Sequence, residues 1–207
     1  MTIAANAMLA AERPLGGPTP LASVLTLLTL VALYIADRVA VTRASGRSSA
    51  GTSASDRNTY AGIVVCQVAG LAALLIAPRA LPALDLPKWF WIPGVVVAWA
   101  GIGLRVWAVR TLGDDFRRVV TVGADQTVIS TGPYRYVRHP SYTGVLLAYA
   151  GLGLAQANIA SLVGAVALPL VGYIRRIRVE ERALLETIGP RYQGYATGRA
   201  RLVPHIW

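Results

Sequence analysis

Q-T-V-I-S-T-G-P-Y-R-Y-V-R-H-P-S-Y-T-G, residues Gln126 to Gly144, lies between strongly apolar segments yet is packed with polar chemistry. It holds three tyrosines, two arginines, one of the chain's two histidines and a run of small hydroxyl residues. A linker that only joined two membrane helices would need none of these. Pro133 and Pro140 fix φ and push the residues before them out of the α region. Thr131-Gly132-Pro133 therefore reads as a turn, and His139-Pro140 as an extended approach to a helix beginning near Ser141. The first N–H groups of such a helix would face anything bound in front of it. That is the architecture of a site. A second polar stretch, Arg175 to Tyr195, follows one apolar hairpin later.

The flanks of this stretch decide the fold class. Hydrophobic residues make up 55 % of the 207 and charged residues only 14 %, and the mean hydropathy is +0.51, values of a membrane protein rather than a soluble domain. Five apolar segments emerge, at about Leu21–Val41, Tyr60–Ala77, Trp91–Val109, Thr143–Ala157 and Ile159–Ile174. The first three suit a bilayer at roughly 20 residues each. The last two are shorter, separated only by Asn158, and read as a tight antiparallel hairpin. Gly144, Gly151, Gly153 and Gly164 are expected to let its two backbones approach closely. The expectation is an all-α integral membrane protein of about five crossings. Residues 1–104 would carry three spans, with a flexible, functionally quiet loop at 42–59, and residues 105–207 the working core with a C-terminal helical segment outside the bilayer. Pro78 is expected to close the second span, and Gly189-Pro190 the helix that leaves the fifth.

Charge orients the bundle. The net charge is +10, and arginine supplies every cation except Lys88. With five crossings, the 42–59 loop, the Arg110–Tyr142 segment and the C-terminal tail share one side and carry most of the arginines. The other side holds Arg13, Arg79 and Lys88. That asymmetry predicts a multi-pass protein of the cytoplasmic membrane with Gln126–Gly144 and the C-terminus in the cytosol. It also explains the basic composition by membrane lipids rather than nucleic acid. Residues 1–20 lack the basic-then-apolar order of a secretory signal, so the first span is expected to be retained. Cys66 is the single cysteine, which excludes disulfides and a cysteine-held metal; two histidines make a metal site unexpected. Arg105, in the last turns of the third span, is expected to snorkel to the interface. Tyr192 and Tyr195 are expected to anchor there.

The polar residues form two sets: Tyr134, Arg138, His139, Ser141 and Tyr142, then Arg176, Glu180, Glu181, Tyr192 and Tyr195. Their ordered pattern is T-G-P-Y-x-x-x-R-H-P-x-Y-x-G, an apolar hairpin, then E-E-x-x-L-x-x-x-x-G-x-x-Y-x-x-Y. It resembles the isoprenylcysteine carboxyl methyltransferase family and its phospholipid-methyltransferase relatives, over about Arg105 to the C-terminus. The resemblance implies an S-adenosyl-L-methionine-dependent transmembrane methyltransferase without a Rossmann fold. It also implies a cytosolic cofactor pocket roofed by the C-terminal segment, and a lipophilic substrate or lipid-modified acceptor entering from the bilayer. Carried over by motif position, cofactor contacts fall on Thr121, Gln126, Thr127, Val128, Ile129, Tyr134, His139, Pro140, Ser141, Tyr142 and Glu180. Arg176 matches a substrate-contacting arginine.

The residue chemistry stands beside this. Glu180 suits an ammonium or ribose hydroxyls. Tyr134 or Tyr142 suits an adenine face or a sulfonium, and His139 with backbone N–H groups suits a carboxylate. Transfer to a carboxylate needs alignment and exclusion of water, with Arg138 or Arg176 gripping the acceptor. Transfer to an amine or thiol would want a base, for which Glu181 is the candidate. Two other classes share parts of the pattern, an NADPH-dependent membrane reductase of the sterol type and a non-catalytic lipid-binding protein. The second would explain Arg176–Glu180 as an ordinary i, i+4 surface pair.

Overall fold

In a computed structural model the described residues are 24–26, 28–33, 35, 54–113, 128–204, 206 and 207, with backbone alone for 54–60. Among the described residues six α-helices follow one another: α1 (Val24–Leu33), α2 (Ala54–Ala80), α3 (Trp91–Leu112), α4 (Pro140–Ala155), α5 (Ile159–Ile188) and α6 (Pro190–Ala196). Short 3₁₀ turns at Pro82–Leu84, Lys88–Phe90 and Gly132–Arg135 punctuate the connections. No strand occurs among the described residues, only the isolated bridges Asp85–Asn158 and Val137–Ala200. Among the described residues three helices are long and apolar enough to cross a membrane, at Ala61–Ala80, Lys88–Leu112 and Ile159–Ile188. The expected first span coincides with α1 in part, and most of the 42–59 loop lies outside the described residues. Its last residues are not loop: α2 already begins at Ala54.

Pro78 does not end the second span. α2 runs through it to Ala80. A proline there cannot donate to the carbonyl four residues back, that of Leu74. The buried Ser161 hydroxyl donates to that carbonyl at 3.4 Å, so a neighbouring helix supplies what the proline removed.

The glycines pack differently from the expected hairpin. Gly94, Ala98, Gly101 and Arg105 on α3 face Ala155, Gly151, Ala148 and Gly144 on the antiparallel α4. A Cβ at Gly94, Gly101 or Gly151 would collide with the opposing backbone, and at Gly144 it would lie 2.7 Å from the Arg105 nitrogen. Two complementary stripes of small residues thus bring α3 and α4 into backbone contact. Of the four glycines assigned to the hairpin, only Gly153 meets α5, where a Cβ would lie 2.6 Å from the Leu162 Cα. Gly164 turns to Ala73 of α2 instead. α4 therefore leans chiefly on α3, and α5 on α2, where Gly70 accommodates the Pro169 ring. Gly151→Leu is expected to destabilise the fold by about 3 kcal/mol or more, because the obstructing atoms are backbone. Gly103→Leu, which would meet nothing within 4 Å, serves as control. Melting temperature in detergent compares them.

Asn158 closes one end of the bundle. Its carbonyl oxygen caps α5 at the Ser161 N–H (3.0 Å), while its amide donates to the Leu81 carbonyl (3.0 Å) and to Asp85 (2.8 Å). These bonds tie the α4–α5 turn to the connection between α2 and α3. The opposite end carries the polar sets.

Candidate active site

The R-H-P turn is built by its prolines. Gly132, at φ +56°, leads into the 3₁₀ turn; His139 is non-helical, and Pro140 opens α4 at the first helical position, where its missing N–H costs nothing. The N–H groups of Tyr142 and Thr143 both return to the His139 carbonyl, at 3.0 and 3.1 Å. They do not project outward as expected of this helix start. Ser141 is buried and accepts from the Arg105 guanidinium at 2.9 Å. Arg105 does not snorkel. It is buried, and its position about two turns from the end of α3 lets it reach Ser141 across the glycine contact.

The second set meets the first. α5 passes the membrane-crossing length and continues as one helix carrying Arg176, Glu180 and Glu181. The Tyr142 hydroxyl donates to Glu180 Oε2 at 2.8 Å. The Tyr142 ring contacts His139 (centroids 5.6 Å apart, nearly parallel) and Tyr173 (4.8 Å). Arg176, buried, is a hydrogen-bonding neighbour of the same tyrosine. His139 lies between the two glutamates, its Nε2 3.2 Å from Glu181 Oε1 and its Nδ1 4.0 Å from Glu180 Oε2.

Glu181 is a hub. Its Oε1 pairs with Arg138 at 2.8 Å and with His139, and its Oε2 with Arg201 at 2.9 Å. Arg201 was not singled out from the sequence, where it looked like one more arginine in a basic tail. The tail in fact lies along the R-H-P turn. The Arg138 and His139 N–H groups donate to the Ala200 and Arg201 carbonyls, both at 2.9 Å, and the Thr143 hydroxyl donates to the Leu202 carbonyl at 2.8 Å. Leu202 is buried behind it. The alternation of basic and apolar residues over Arg199–Leu202 is too short to signal such pairing.

Tyr192 and Tyr195 on α6 are not interfacial anchors. Tyr192 is buried, and the Tyr195 hydroxyl donates to the Tyr134 carbonyl at 2.9 Å. Burial pushes the Tyr195 phenol up to about 12, against the opposing charge of Arg199, so it remains a donor at neutral pH. Burial likewise raises the Tyr134 and Tyr192 phenols, with Glu180 and Glu181 respectively adding to the effect. The Tyr192 hydroxyl and Arg138 lie beside one another, and neither that hydroxyl nor Arg138 Nε makes a well-formed hydrogen bond among the described residues.

Of the expected cofactor residues, Tyr134, His139, Pro140, Ser141, Tyr142 and Glu180 come together here. Val128 and Ile129 are half-buried in the irregular segment leading to it. Thr121, Gln126 and Thr127 lie outside the described residues. Among those described, no group of histidine, cysteine or acidic residues could hold a metal ion.

Residues 94–186, from the α3 glycine stripe through both glutamates, match the model of the isoprenylcysteine carboxyl methyltransferase (ICMT) family. The chain resembles that family in sequence and in fold. Protein-S-isoprenylcysteine O-methyltransferase A of Arabidopsis thaliana is 25 % identical over 188 residues, 87 % of this chain and 91 % of the relative. The Saccharomyces cerevisiae protein-S-isoprenylcysteine O-methyltransferase is 33 % identical over 115 residues, 55 % of this chain and 48 % of its own. A solved structure of the eukaryotic intramembrane Ras methyltransferase ICMT superposes with a TM-score of 0.58 at 26 % identity, covering 69 % of this chain and 52 % of that one. The chain thus spans nearly all of the plant relative but about half of the yeast relative and of the solved ICMT chain. The ICMT-like match covers α3 to α5, whereas Arg201 and the α6 tyrosines lie beyond the family model.

Proposed function

We propose that the protein is a multi-pass membrane methyltransferase that uses S-adenosylmethionine to esterify the carboxylate of a lipophilic, prenylcysteine-like acceptor. The observation that carries the choice of acceptor is the state of Glu181. Both of its oxygens are engaged, by the cations Arg138 and Arg201 and by the His139 ring. A carboxylate held this way is a poor proton acceptor. An amine or thiol must lose a proton on methylation, and the one base the sequence offered is committed elsewhere. A carboxylate acceptor is already ionised and needs none.

The donor set suits the cofactor. Glu180 is partly exposed, with one oxygen held by Tyr142, and its charge complements an ammonium or ribose hydroxyls. Arg138 Nε and the Tyr192 hydroxyl, buried and neither making a well-formed hydrogen bond among the described residues, complement the cofactor's own carboxylate. When bound, S-adenosylmethionine supplies a methyl group on a cationic sulfur. Tyr134, Pro140 and Ser141 shape the wall of this pocket in our reading, and Thr121 and Gln126 to Ile129 are further cofactor contacts by motif position. Arg176, buried beside Tyr142, orients the acceptor carboxylate in our reading, while Arg138 holds Glu181 at 2.8 Å. The chain crosses the bilayer five times with this site and the C-terminus in the cytosol. Residues 1–104 supply membrane helices and residues 105–207 the catalytic core. The acceptor arrives laterally from the membrane lipids.

The test is methyl transfer by the purified protein in lipid nanodiscs to a matched set of prenylated acceptors ending in a carboxylate, an amine or a thiol. At neutral pH the carboxylate is expected to yield a base-labile methyl ester. The amine and thiol are expected to react at least about a hundredfold more slowly, the usual cost of a missing base. Faster methylation of the amine or thiol would overturn the assignment.

A further inference from the structure

Gln67 stands on α2, outside the family match, six residues in from the Ala61 end of that membrane-crossing stretch. At 1.5 Å per residue it sits roughly 9 Å along the helix axis from that end. Its amide donates to the Tyr173 hydroxyl of α5 at 2.8 Å. Tyr173 is buried, and its ring packs 4.8 Å from that of Tyr142, whose hydroxyl is held by Glu180. One connected line therefore runs from the apolar part of the bundle to the carboxylate at the site. Gln67 joins Tyr173 by a hydrogen bond, Tyr173 joins Tyr142 by ring contact, and Tyr142 joins Glu180 by a second hydrogen bond.

Helix packing alone does not call for this line. α2 and α5 already approach closely through small residues on either side of Gln67. Gly172 accommodates Ile63 and Cys66, and Gly70 accommodates Pro169. An amide within an apolar span is costly to insert, and a leucine would fill the same space. What the amide adds is direction. It pins the Tyr173 phenol, and a pinned phenol fixes the ring plane against which Tyr142 rests.

We infer that Gln67 and Tyr173 are positioning residues that hold Tyr142, and through it Glu180, in the geometry that receives the cofactor. This rests on the site proposed above. It gives the N-terminal half of the chain a part in the reaction beyond anchoring.

The test uses the full chain in detergent, with S-adenosylhomocysteine titrated by calorimetry into the unaltered protein, Gln67→Leu, Tyr173→Phe and the double variant. Tyr173→Phe keeps the ring and removes only the hydroxyl, so it folds even if the leucine disturbs α2. Each single variant is expected to bind about three- to tenfold more weakly, the range of one interhelical hydrogen bond in a membrane protein. The double variant is expected to lose no more than either single one, since both remove the same bond. Melting temperatures are expected to stay close to that of the unaltered protein. A purely architectural pair would behave in the opposite way, with lower melting temperatures and unchanged affinity, and that result would overturn the inference. So would losses that multiply in the double variant. Absence of binding to the unaltered protein would instead remove the proposed cofactor site itself, and this inference with it.

Discussion

Glu180→Ala is expected to weaken S-adenosylhomocysteine binding by about a hundredfold, measured by calorimetry on the detergent-purified protein. The side chain is one of two adjacent carboxylates, but the two are placed differently. Glu180 keeps 30 % of its side chain exposed, and the hydrogen bond it accepts is from the Tyr142 phenol. A charge-assisted contact to a ligand ammonium or hydroxyl contributes about 1.5–3 kcal/mol. Its removal also releases the Tyr142 hydroxyl and loosens the ring. Two such losses amount to about 3 kcal/mol, or two orders of magnitude in affinity. Folding should be little affected, because the Glu180 side chain is partly exposed. An affinity within twofold of the unaltered protein would support a lipid-binding role for the arginines and remove Glu180 from the site.

Its neighbour should behave in the opposite way. Glu181→Ala is expected to lower the melting temperature in detergent by roughly 10 °C, with proteolytic exposure of the C-terminal tail. The carboxylate is 8 % exposed; it neutralises Arg138 at 14 % and lies 3.2 Å from the His139 ring at 5 %. Deleting one partner of a buried ion pair typically costs 3–5 kcal/mol, since the other charge is left uncompensated. For a chain of this length that corresponds to about 2–4 °C per kcal/mol. Arg201, a third exposed, recovers hydration and adds less. Glu181→Gln keeps hydrogen-bonding capacity and should fall between the two. A melting temperature unchanged in the alanine variant would show that the cluster is solvated and does not organise the tail.

The contrast between these glutamates marks how far the sequence could be read. That both belong near R-H-P was legible, because an ordered pair of polar motifs around an apolar hairpin has few other uses. That Glu181 is engaged on both of its oxygens was not. It depends on Arg201, twenty residues away, and a single arginine in a basic tail carries no local signal of its partner. The turn at Gly132-Pro133, the helix start at Pro140 and the stop at Gly189 were legible, since proline and glycine act on their own backbone.

Partner choice between helices was misread for a physical reason. Gly144 and Gly151 were assigned to the nearest helix in the chain, whereas the stripe Gly94, Ala98, Gly101, Arg105 is complementary to Gly144, Ala148, Gly151, Ala155 in the antiparallel sense. Read together, the two stripes would have predicted the α3–α4 contact, and with it the burial of Arg105. Pro78 misled similarly. A proline ends a helix in water, but inside a bundle Ser161 offered its carbonyl another donor.

The account depends on the R-H-P turn and the α5 extension jointly enclosing a charged sulfur nucleoside. Calorimetric titration of S-adenosylhomocysteine into the unaltered protein tests this most directly. Saturable binding at one site per chain, lost in Glu180→Ala, is the predicted result. No heat of binding at millimolar ligand, with the protein folded, would contradict it.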